Sequence, residues 1–232
     1  MVPACGTTAE PSGVLIVNKH AGVTSHDIVN RIRRLYGTRR VGHTGTLDPM
    51  ATGVLVVLIG RAAKAAEYLT SDSKRYRAEL RLGLTTDTED ITGTKLTECD
   101  RLPTAEEVAR IVPEFCGTIA QIPPMYSALK VNGKKLVDLA RQGEVIERKP
   151  REITVFSLTV QPTDRADSYL LEVHCSGGTY IRTLCADMGR ALGCGGVMAS
   201  LERTETGGFS IREAHTAAVL EEMTPEERQA RL

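Results

Sequence analysis

Apolar and charged residues alternate along residues 74–83, and this two-residue period is typical of a strand with one buried face. The apolar face of this predicted antiparallel strand carries Tyr76, Ala78, Leu80 and Leu82. An unbroken apolar run at residues 54–59 predicts a buried strand. Further strands are predicted at residues 14–18, 153–161 and 169–175, with strand-like pieces at residues 201–211.

A helical period follows the first of these strands, with apolar residues at Ile28, Ile32 and Leu35. Thr24 or Ser25 is placed to cap this helix, and a glycine two residues after Leu35 ends it. Further helices are predicted at residues 61–69 and 104–115, before Gly143, at residues 179–192 and, as a charged surface helix, in the final twenty residues.

The order of these elements favours one fold class. Strands outnumber helices, and the tight turn predicted at Asn132-Gly133 is typical of a hairpin. Few segments alternate as strand, helix and strand, and residues 85–94 are predicted to form a polar loop. The pattern therefore predicts an α+β fold with a mixed, mainly antiparallel sheet flanked by helices, and no linker requires a second domain.

Composition narrows the class of protein. Of the 232 residues, 41% are hydrophobic and 25% are charged, as in ordinary globular proteins. No apolar run approaches the roughly 20 residues needed to span a bilayer. Residues 1–12 lack the features of a signal peptide and are expected to form a short flexible leader, which predicts a cytoplasmic protein. The six cysteines fit no common zinc pattern and are expected to be reduced thiols.

Charge is unevenly distributed along the chain. The formal net charge is zero, yet residues 19–81 contain twelve Lys or Arg and five Asp or Glu. One interpretation is a basic face that binds nucleic acid, and the other is a solvated helix face. The densest part of this region contains five arginines: Arg31, Arg33, Arg34, Arg39 and Arg40.

Asp48 is the first candidate for chemistry. It lies in a loop rich in glycine, threonine and proline, directly before the apolar run at residues 54–59. Its carboxylate is suited to act as a nucleophile, a general base or a metal ligand. The alternative is an Asp-Pro pair that only shapes a turn. Because no further acidic or histidine cluster lies at ligand spacing, no metal site is expected.

Arg182 is the second candidate, because it interrupts the apolar start of a predicted helix. A partly buried arginine requires an anion, and Asp48 is a plausible partner that would in turn stay ionised. The alternative is a surface salt bridge to Asp187 or Glu172. Tyr76 is either a core residue or a ring that stacks on a base, and His43 is either structural or functional.

The motifs together resemble the TruB-type tRNA pseudouridine-55 synthases. The loop at residues 42–53, GHTGTLDPMATG, resembles the catalytic loop of that family. Coverage extends from residue 13 to residue 211. Further matching segments follow in the same order: KRYR at 74–77, IPPMYSALK at 122–130, GKKL at 133–136, CSGGTYIRT at 175–183 and LGCG at 192–195.

This resemblance implies a pseudouridine synthase fold that isomerises uridine to pseudouridine in the T-loop of tRNA, without a cofactor or metal. Asp48 would be the essential aspartate and Arg182 its partner. His43 would fill the space left by the flipped nucleotides. Tyr76 would stack on the target base, in a pocket lined by Tyr180 and Leu201. The residues expected to meet RNA phosphates are Arg31, Arg33, Arg34, Arg39, Arg40 and Lys64.

The resemblance also implies a tRNA T-arm as partner. No membrane and no obligate protein partner are expected, because nothing in the sequence indicates them, and the protein is expected to be a monomer. Residues 13–211 would form the catalytic domain, and residues 212–232 a short charged extension with the RNA-binding domain of the PUA type reduced or absent. Weaker tRNA binding is expected from that reduction. Two residues depart from the family pattern: His20, where proline is usual, and Glu202, where a basic residue is common.

Two other functions are compatible with parts of the sequence. One is a tRNA-binding or tRNA-folding factor whose catalysis is dispensable. The retention of Asp48, Tyr76 and Arg182 favours catalysis instead. The other is a glycosidase, which would normally use a second carboxylate that the motifs do not supply.

Overall fold

The structure is a computed structural model that describes residues 10–66 and 73–232. Most of the predicted leader, Cys5 and the end of the helix predicted at residues 61–69 lie outside the described residues. In the described part of the chain, no helix is long and apolar enough to cross a membrane.

The regular elements are mostly strands. In chain order the strands are β1 (Gly13–Lys19), β2 (Val41–His43), β3 (Thr52–Ile59), β4 (Ser73–Leu82), β5 (Leu84–Thr86), β6 (Lys95–Glu98), β7 (Gly117–Gln121), β8 (Lys130–Val131), β9 (Lys134–Lys135), β10 (Arg151–Pro162), β11 (Ser168–Ser176), β12 (Gly196–Thr206), β13 (Phe209–Ser210) and β14 (His215–Thr216). The α-helices are α1 (Ser25–Tyr36), α2 (Ala105–Ile111), α3 (Leu136–Arg141), α4 (Ile181–Ala191), α5 (Ala217–Glu222) and α6 (Pro225–Gln229). The 3₁₀ helices are Gly60–Ala65, Val112–Phe115 and Ile211–Glu213.

The chain divides into two compact units. Unit 1 comprises Met1–Ser71 and Arg203–Leu232, and unit 2 comprises Asp72–Glu202. Strand β12 therefore begins in unit 2 and ends in unit 1.

Unit 1 is built on β1 and β3, which pair antiparallel along their whole lengths. β14 pairs with β1 in parallel, and β2 pairs with β3 antiparallel. Helix α1 packs on this sheet through Ile28 and Ile32, which contact Leu15 and Leu55 in one apolar cluster. The helix begins at the predicted cap, because the Thr24 side chain accepts from the third residue of the helix.

Unit 2 contains a sheet in the order β12, β4, β11, β10 and β7, in which β4, β11, β10 and β7 pair antiparallel. The alternation predicted for β4 is confirmed, because its four apolar residues from Tyr76 to Leu82 are all buried. Helix α4 packs against β4. A β-bulge lies between Val155 and Ser157 in β10. Both Asn132 and Gly133 have positive φ angles, of 51° and 82°, which confirms the predicted hairpin turn.

The α+β fold class is confirmed by this mixed architecture. Short strands β2, β5, β6 and β7 were not predicted. β5 lies inside the predicted polar loop, and all four residues of β6 are exposed, so neither carries an apolar signal. The predicted helix at 104–115 ends early as α2 and continues as a 3₁₀ helix, because Pro113 supplies no amide hydrogen for an α-helical bond.

The charged surface helix predicted for the final twenty residues is wrong. Strand β14 and the two short helices α5 and α6 occupy this segment, and Thr216 and Thr224 each cap a new helix. Leu220 is fully buried in the same apolar cluster as Leu15. The segment therefore forms two short helices rather than one, because each begins at its own capping residue, and one buried leucine ties it to the core.

Candidate active site

The Asp48 loop joins β2 to β3 in unit 1. Leu47 and Ala51 are buried and anchor the loop, whereas Asp48 between them is half-buried. The Asp48 carbonyl accepts from the Ala51 amide at 3.0 Å, which closes a turn around the residue. After the loop, the second residue of β3 is Gly53, whose φ of 99° favours glycine. The motif therefore places one carboxylate on a turn whose two sides are fixed in the core.

Side chains from distant parts of the sequence hold the loop carbonyls. The Ser25 hydroxyl donates to the Leu47 carbonyl at 3.1 Å and accepts from the Leu47 amide at 2.9 Å. The Lys19 ammonium donates to the Pro49 carbonyl at 3.1 Å. Both neighbours of Asp48 in the chain are thus held by buried polar side chains, and a buried carbonyl left without such a donor would be costly.

Lys19 is fully buried at the end of β1. Its ammonium also donates to the carbonyls of His20 at 3.0 Å and Val23 at 2.8 Å, so that three carbonyls surround it. Burial lowers the pKa of Lys19 to about 8, and the nearby Asp48 carboxylate opposes this shift. Lys19 was not predicted as a functional residue, although its charge acts directly on Asp48.

Arg203 is the second cation against this loop and is only 2% exposed. Its guanidinium donates to the carbonyls of Gly45 at 3.1 Å, Thr46 at 3.4 Å and Val54 at 2.8 Å. It was also missed, because a lone arginine near the end of a strand carries no sequence signal for burial.

His43 lies at the end of β2, half-buried. The Gly45 amide donates to its Nδ1 atom at 3.3 Å. Burial lowers the pKa of His43, and the charges of Arg203 and His26 act in the same direction. The lowered pKa favours the neutral imidazole at pH 7. A neutral ring of this kind is suited to packing against bases rather than to pairing with phosphates.

Arg182 lies in the first turn of α4 in unit 2 and is 5% exposed. Its guanidinium donates to the carbonyls of Thr88 at 3.0 Å and Tyr126 at 2.8 Å, and it lies 4.0 Å from the Asp90 carboxylate. The predicted burial is confirmed.

The surface salt bridge considered for Arg182 is therefore wrong, because the side chain faces the interior. Asp187 pairs with Arg190, and Glu172 pairs with Arg77 at 3.4 Å. Asp48 and Arg182 belong to different units, and their pairing stays a prediction.

The segment from Thr88 to Asp90 forms the Arg182 cradle. Asp90 is buried and accepts from the hydroxyls of Thr88 at 2.9 Å and Thr92 at 2.6 Å. Glu89 has a φ of 63°, and its carboxylate accepts from the Thr183 hydroxyl at 2.6 Å. Burial raises the pKa of Glu89. Sequence reasoning missed this segment because it read as part of a polar loop.

The three predicted pocket residues lie in unit 2. Tyr76 in β4 and Leu201 in β12 are each 8% exposed. Tyr180 is half-buried, directly before α4. The Gln121 side chain accepts from the Tyr180 amide at 2.9 Å and donates to its carbonyl at 3.0 Å. Gln121 itself is buried and thereby fixes the backbone that leads to Arg182.

The predicted phosphate-binding residues fall into two groups. Arg31 is engaged by both carboxylate oxygens of Glu221. Arg33 is half-buried and donates to the Val41 carbonyl at 3.1 Å. The other four side chains are exposed, although Arg40 lies 3.2 Å from Glu10: Arg34, Arg39, Arg40 and Lys64. Helical spacing alone did not separate the engaged arginines from the exposed ones, because spacing does not show that Arg33 is half-buried.

A second basic segment was not recognised from the sequence. Residues 130–151 contain seven Lys or Arg and three Asp or Glu. Lys130, Lys134 and Lys135 lie on the β8–β9 hairpin and are exposed. The hairpin rests on a small apolar cluster formed by Met125, Leu136 and Leu139.

The two departures from the family pattern have local explanations. His20 Nδ1 donates to the neighbouring Ala21 carbonyl at 2.8 Å, and Lys19 keeps its three carbonyl partners. Glu202 lies 4.0 Å from Arg77, which already pairs with Glu172. Glu202 thus joins an exposed row of charges on the sheet of unit 2.

Two family models match the chain. The TruB family pseudouridylate synthase N-terminal domain matches residues 33–181, and the tRNA pseudouridylate synthase B C-terminal domain matches residues 182–231. The chain is 48% identical over 218 residues to the tRNA pseudouridine synthase B of Syntrophotalea carbinolica, covering 94% of this chain and 71% of the relative. It is 46% identical over 223 residues to that of Oceanobacillus iheyensis, covering 95% and 74%.

Solved structures agree with this match. The chain resembles one in a crystal structure of a Cbf5–Nop10–Gar1 complex, with a TM-score of 0.72 and 27% identity, covering 95% of this chain and 59% of that one. An archaeal box H/ACA Nop10–Cbf5 complex contains a chain with a TM-score of 0.68 and 26% identity, of which 58% is covered. The chain thus spans less than two thirds of the length of these structural relatives.

Proposed function

Because the chain belongs to the TruB family of pseudouridylate synthases, we propose that it converts uridine to pseudouridine at position 55 in the T-loop of tRNA. The observation that carries this proposal is the Asp48 loop. It presents one half-buried carboxylate on a turn that Ser25, Lys19 and Arg203 hold from the interior. A rigidly held carboxylate is what a reaction with one catalytic group requires.

The reaction breaks the bond between N1 of uracil and C1′ of the ribose, and then joins C5 of the same base to C1′. Asp48 serves this exchange either by attacking the sugar or by removing a proton to form a glycal, and both routes need the ionised carboxylate. The buried Lys19 ammonium lies close enough to the Asp48 carboxylate for the two charges to interact. Arg182 is the proposed second cation.

The target uridine lies inside a folded T-loop and has to leave its stack to reach Asp48. Tyr76, nearly buried in β4, is the proposed stacking partner for the flipped base, with Tyr180 and Leu201 beside it. His43 is neutral and half-buried, which suits it to fill the space that the base leaves.

Phosphates of the T-arm would meet the exposed basic residues. Arg34, Arg39 and Lys64 present exposed charges in unit 1, whereas Arg31 and Arg33 are engaged within the protein. The lysines of the β8–β9 hairpin are a further candidate contact. Since tRNA is the substrate, we also place the protein in the cytoplasm. Raising the salt concentration should weaken tRNA binding, because each phosphate contact releases counterions.

The test uses an unmodified tRNA transcript, with pseudouridine mapped after incubation with the full chain. The wild-type protein should modify the T-loop uridine, and Asp48→Asn should lose at least about 1,000-fold in rate, within the range for a catalytic acid or base. Asp164→Asn, an exposed aspartate, is the matched control and should behave as wild type.

Three outcomes decide the proposal. Product at the T-loop uridine that is lost only in Asp48→Asn supports it. Modification at another position contradicts the assignment to position 55. Binding of tRNA without product in any variant would instead favour a tRNA-binding or tRNA-folding factor.

A further inference from the structure

Arg203 is the most deeply buried arginine among the described residues, at 2% exposed, and it takes part in no bond-forming or bond-breaking step of the proposed reaction. Its three hydrogen bonds all go to backbone carbonyls rather than to a carboxylate. A guanidinium placed so far from water is expensive unless its donors are well satisfied. Surface charge therefore does not explain why an arginine occupies this position.

The three acceptors lie on both sides of Asp48. Gly45 and Thr46 precede it in the loop, and Val54 follows it at the start of the apolar part of β3. One planar side chain thus joins the two sides of the Asp48 turn. A guanidinium offers five N–H donors in a rigid fork, and this geometry suits several carbonyls at once.

Gly53 makes this approach possible. A Cβ atom at Gly53 would lie 2.2 Å from the Arg203 carbonyl oxygen, so the two backbones touch where the loop enters β3. The Arg203 backbone therefore presses against one end of the loop while its side chain reaches across to the other end.

The charge of Arg203 also reaches the other groups of the loop. It contributes to lowering the pKa of both Lys19 and His43. Arg203 and Lys19 are therefore two buried cations beside a loop that carries one carboxylate. Their charges add to a positive potential at the loop.

We propose that Arg203 is a positioning residue for Asp48, acting by joining the two sides of the catalytic loop rather than by touching RNA. This inference rests on the proposed function, since it assigns Arg203 to the reaction of Asp48. The conservative change Arg203→Lys keeps the charge but removes the fork, so it separates the geometric role from the charge.

The first measurement is single-turnover kinetics on a tRNA transcript, after circular dichroism has shown that each variant is folded. Arg203→Lys should lower the rate of the chemical step by about 10- to 100-fold, because small displacements of a catalytic group cost up to about 100-fold. The concentration of tRNA at half-saturation should stay within about threefold, since no RNA contact is lost. Arg212→Lys, an exposed arginine in unit 1, is the matched control and should match wild type.

The second measurement is amide hydrogen exchange, which does not depend on turnover. In Arg203→Lys, residues 42–53 should exchange faster, while the β1 strand exchanges as in wild type. Acceleration in both segments would mean general destabilisation and would overturn the inference. Wild-type turnover by Arg203→Lys would overturn it as well.

A third variant covers the case in which Arg203→Lys does not fold. Arg203→Ala leaves space for a small planar cation, and millimolar guanidinium should restore part of its rate, whereas matched sodium chloride should not. Equal effects of both salts contradict the inference. If wild type itself forms no pseudouridine, the proposed function fails. The positioning role alone is refuted if wild type is active, Asp48→Asn is inactive and Arg203→Lys is unaffected.

Discussion

The Asp48 loop and the Arg182 cradle carry opposite charges and are held by different sets of contacts. In the loop, Ser25, Lys19 and Arg203 donate hydrogen bonds to backbone carbonyls on both sides of the carboxylate. In the cradle, the Arg182 guanidinium is itself the donor to two backbone carbonyls. The backbone around the carboxylate is thus held by side chains from other elements, whereas the guanidinium itself binds backbone carbonyls.

Under the proposed function, the two charges have different tasks. A group that forms or breaks a bond needs at least part of its surface open to the substrate, so its position has to be set through its neighbours. A group that supplies only a field gains by being buried, because its effect is larger where water is excluded. The half-buried Asp48 and the buried Arg182 fit these two roles.

The largest effect is expected from Arg182. Arg182→Met leaves the Thr88 and Tyr126 carbonyls and the Asp90 carboxylate without their buried cation, which should cost about 3–5 kcal/mol of unfolding free energy. Arg182→Lys keeps one charge but cannot reach both carbonyls with one ammonium, and it should lower turnover by about 100-fold or more. Thermal unfolding and single-turnover rates measure the two effects. Wild-type turnover in Arg182→Lys would show that the paired N–H donors of the guanidinium are not required.

Lys19 provides a pH test on the loop. Because burial lowers its folded-state pKa to about 8 from an ordinary value of 10.5, Lys19 loses its proton in the folded protein first. Asp48 then loses a positive neighbour, so turnover should fall as pH rises from 7 to 9. Stability should change in the opposite direction, since between about pH 8 and 10.5 the unfolded chain binds the extra proton.

The control for Lys19 is Lys19→Arg, whose charge persists through this range. Its turnover should show no decline of this origin between pH 7 and 9. An identical decline in wild type and in Lys19→Arg would assign the titration to another group.

The smallest effect is expected from Ser25, which holds the loop without a charge. Ser25→Ala leaves the buried Leu47 amide and carbonyl without their shared partner, at a cost of about 1–3 kcal/mol in unfolding free energy. Turnover should fall less than in Lys19 or Arg203 variants. Ser157→Ala, an exposed serine, is the reference for chemical denaturation. A loss of turnover as large as that of Asp48→Asn would mean that the loop depends on one neutral contact.

The sequence predicted the Asp48 loop because its signals are local. Glycine, proline and threonine shape a turn, and the apolar run that follows it predicts a buried strand. The residues that hold the loop carry no comparable signal. Arg203 lies about 150 positions away from Val54, and nothing in its own neighbourhood separates a buried arginine from an exposed one.

The same limit explains the rest of the fold. Long periodic segments such as α1 and β4 were predicted closely, because their apolar faces recur over many residues. β7 is short and mostly exposed, and it forms through its pairing with β10, a partner that the sequence does not identify. Arg31 and Arg33 share a helix with Arg34, yet only tertiary contacts with Glu221 and Val41 separate them from it.

The final segment of the chain protects an edge. On one side β1 pairs with β3, and on the other it meets β14 at two residue pairs, Val17 with His215 and Asn18 with Thr216. Removing residues 212–232 would expose the backbone donors and acceptors of β1 that face β14. It would also expose the apolar surface that Leu220 covers. An uncovered strand of this kind readily pairs with another chain, so the consequence of truncation would be aggregation rather than a smaller folded enzyme.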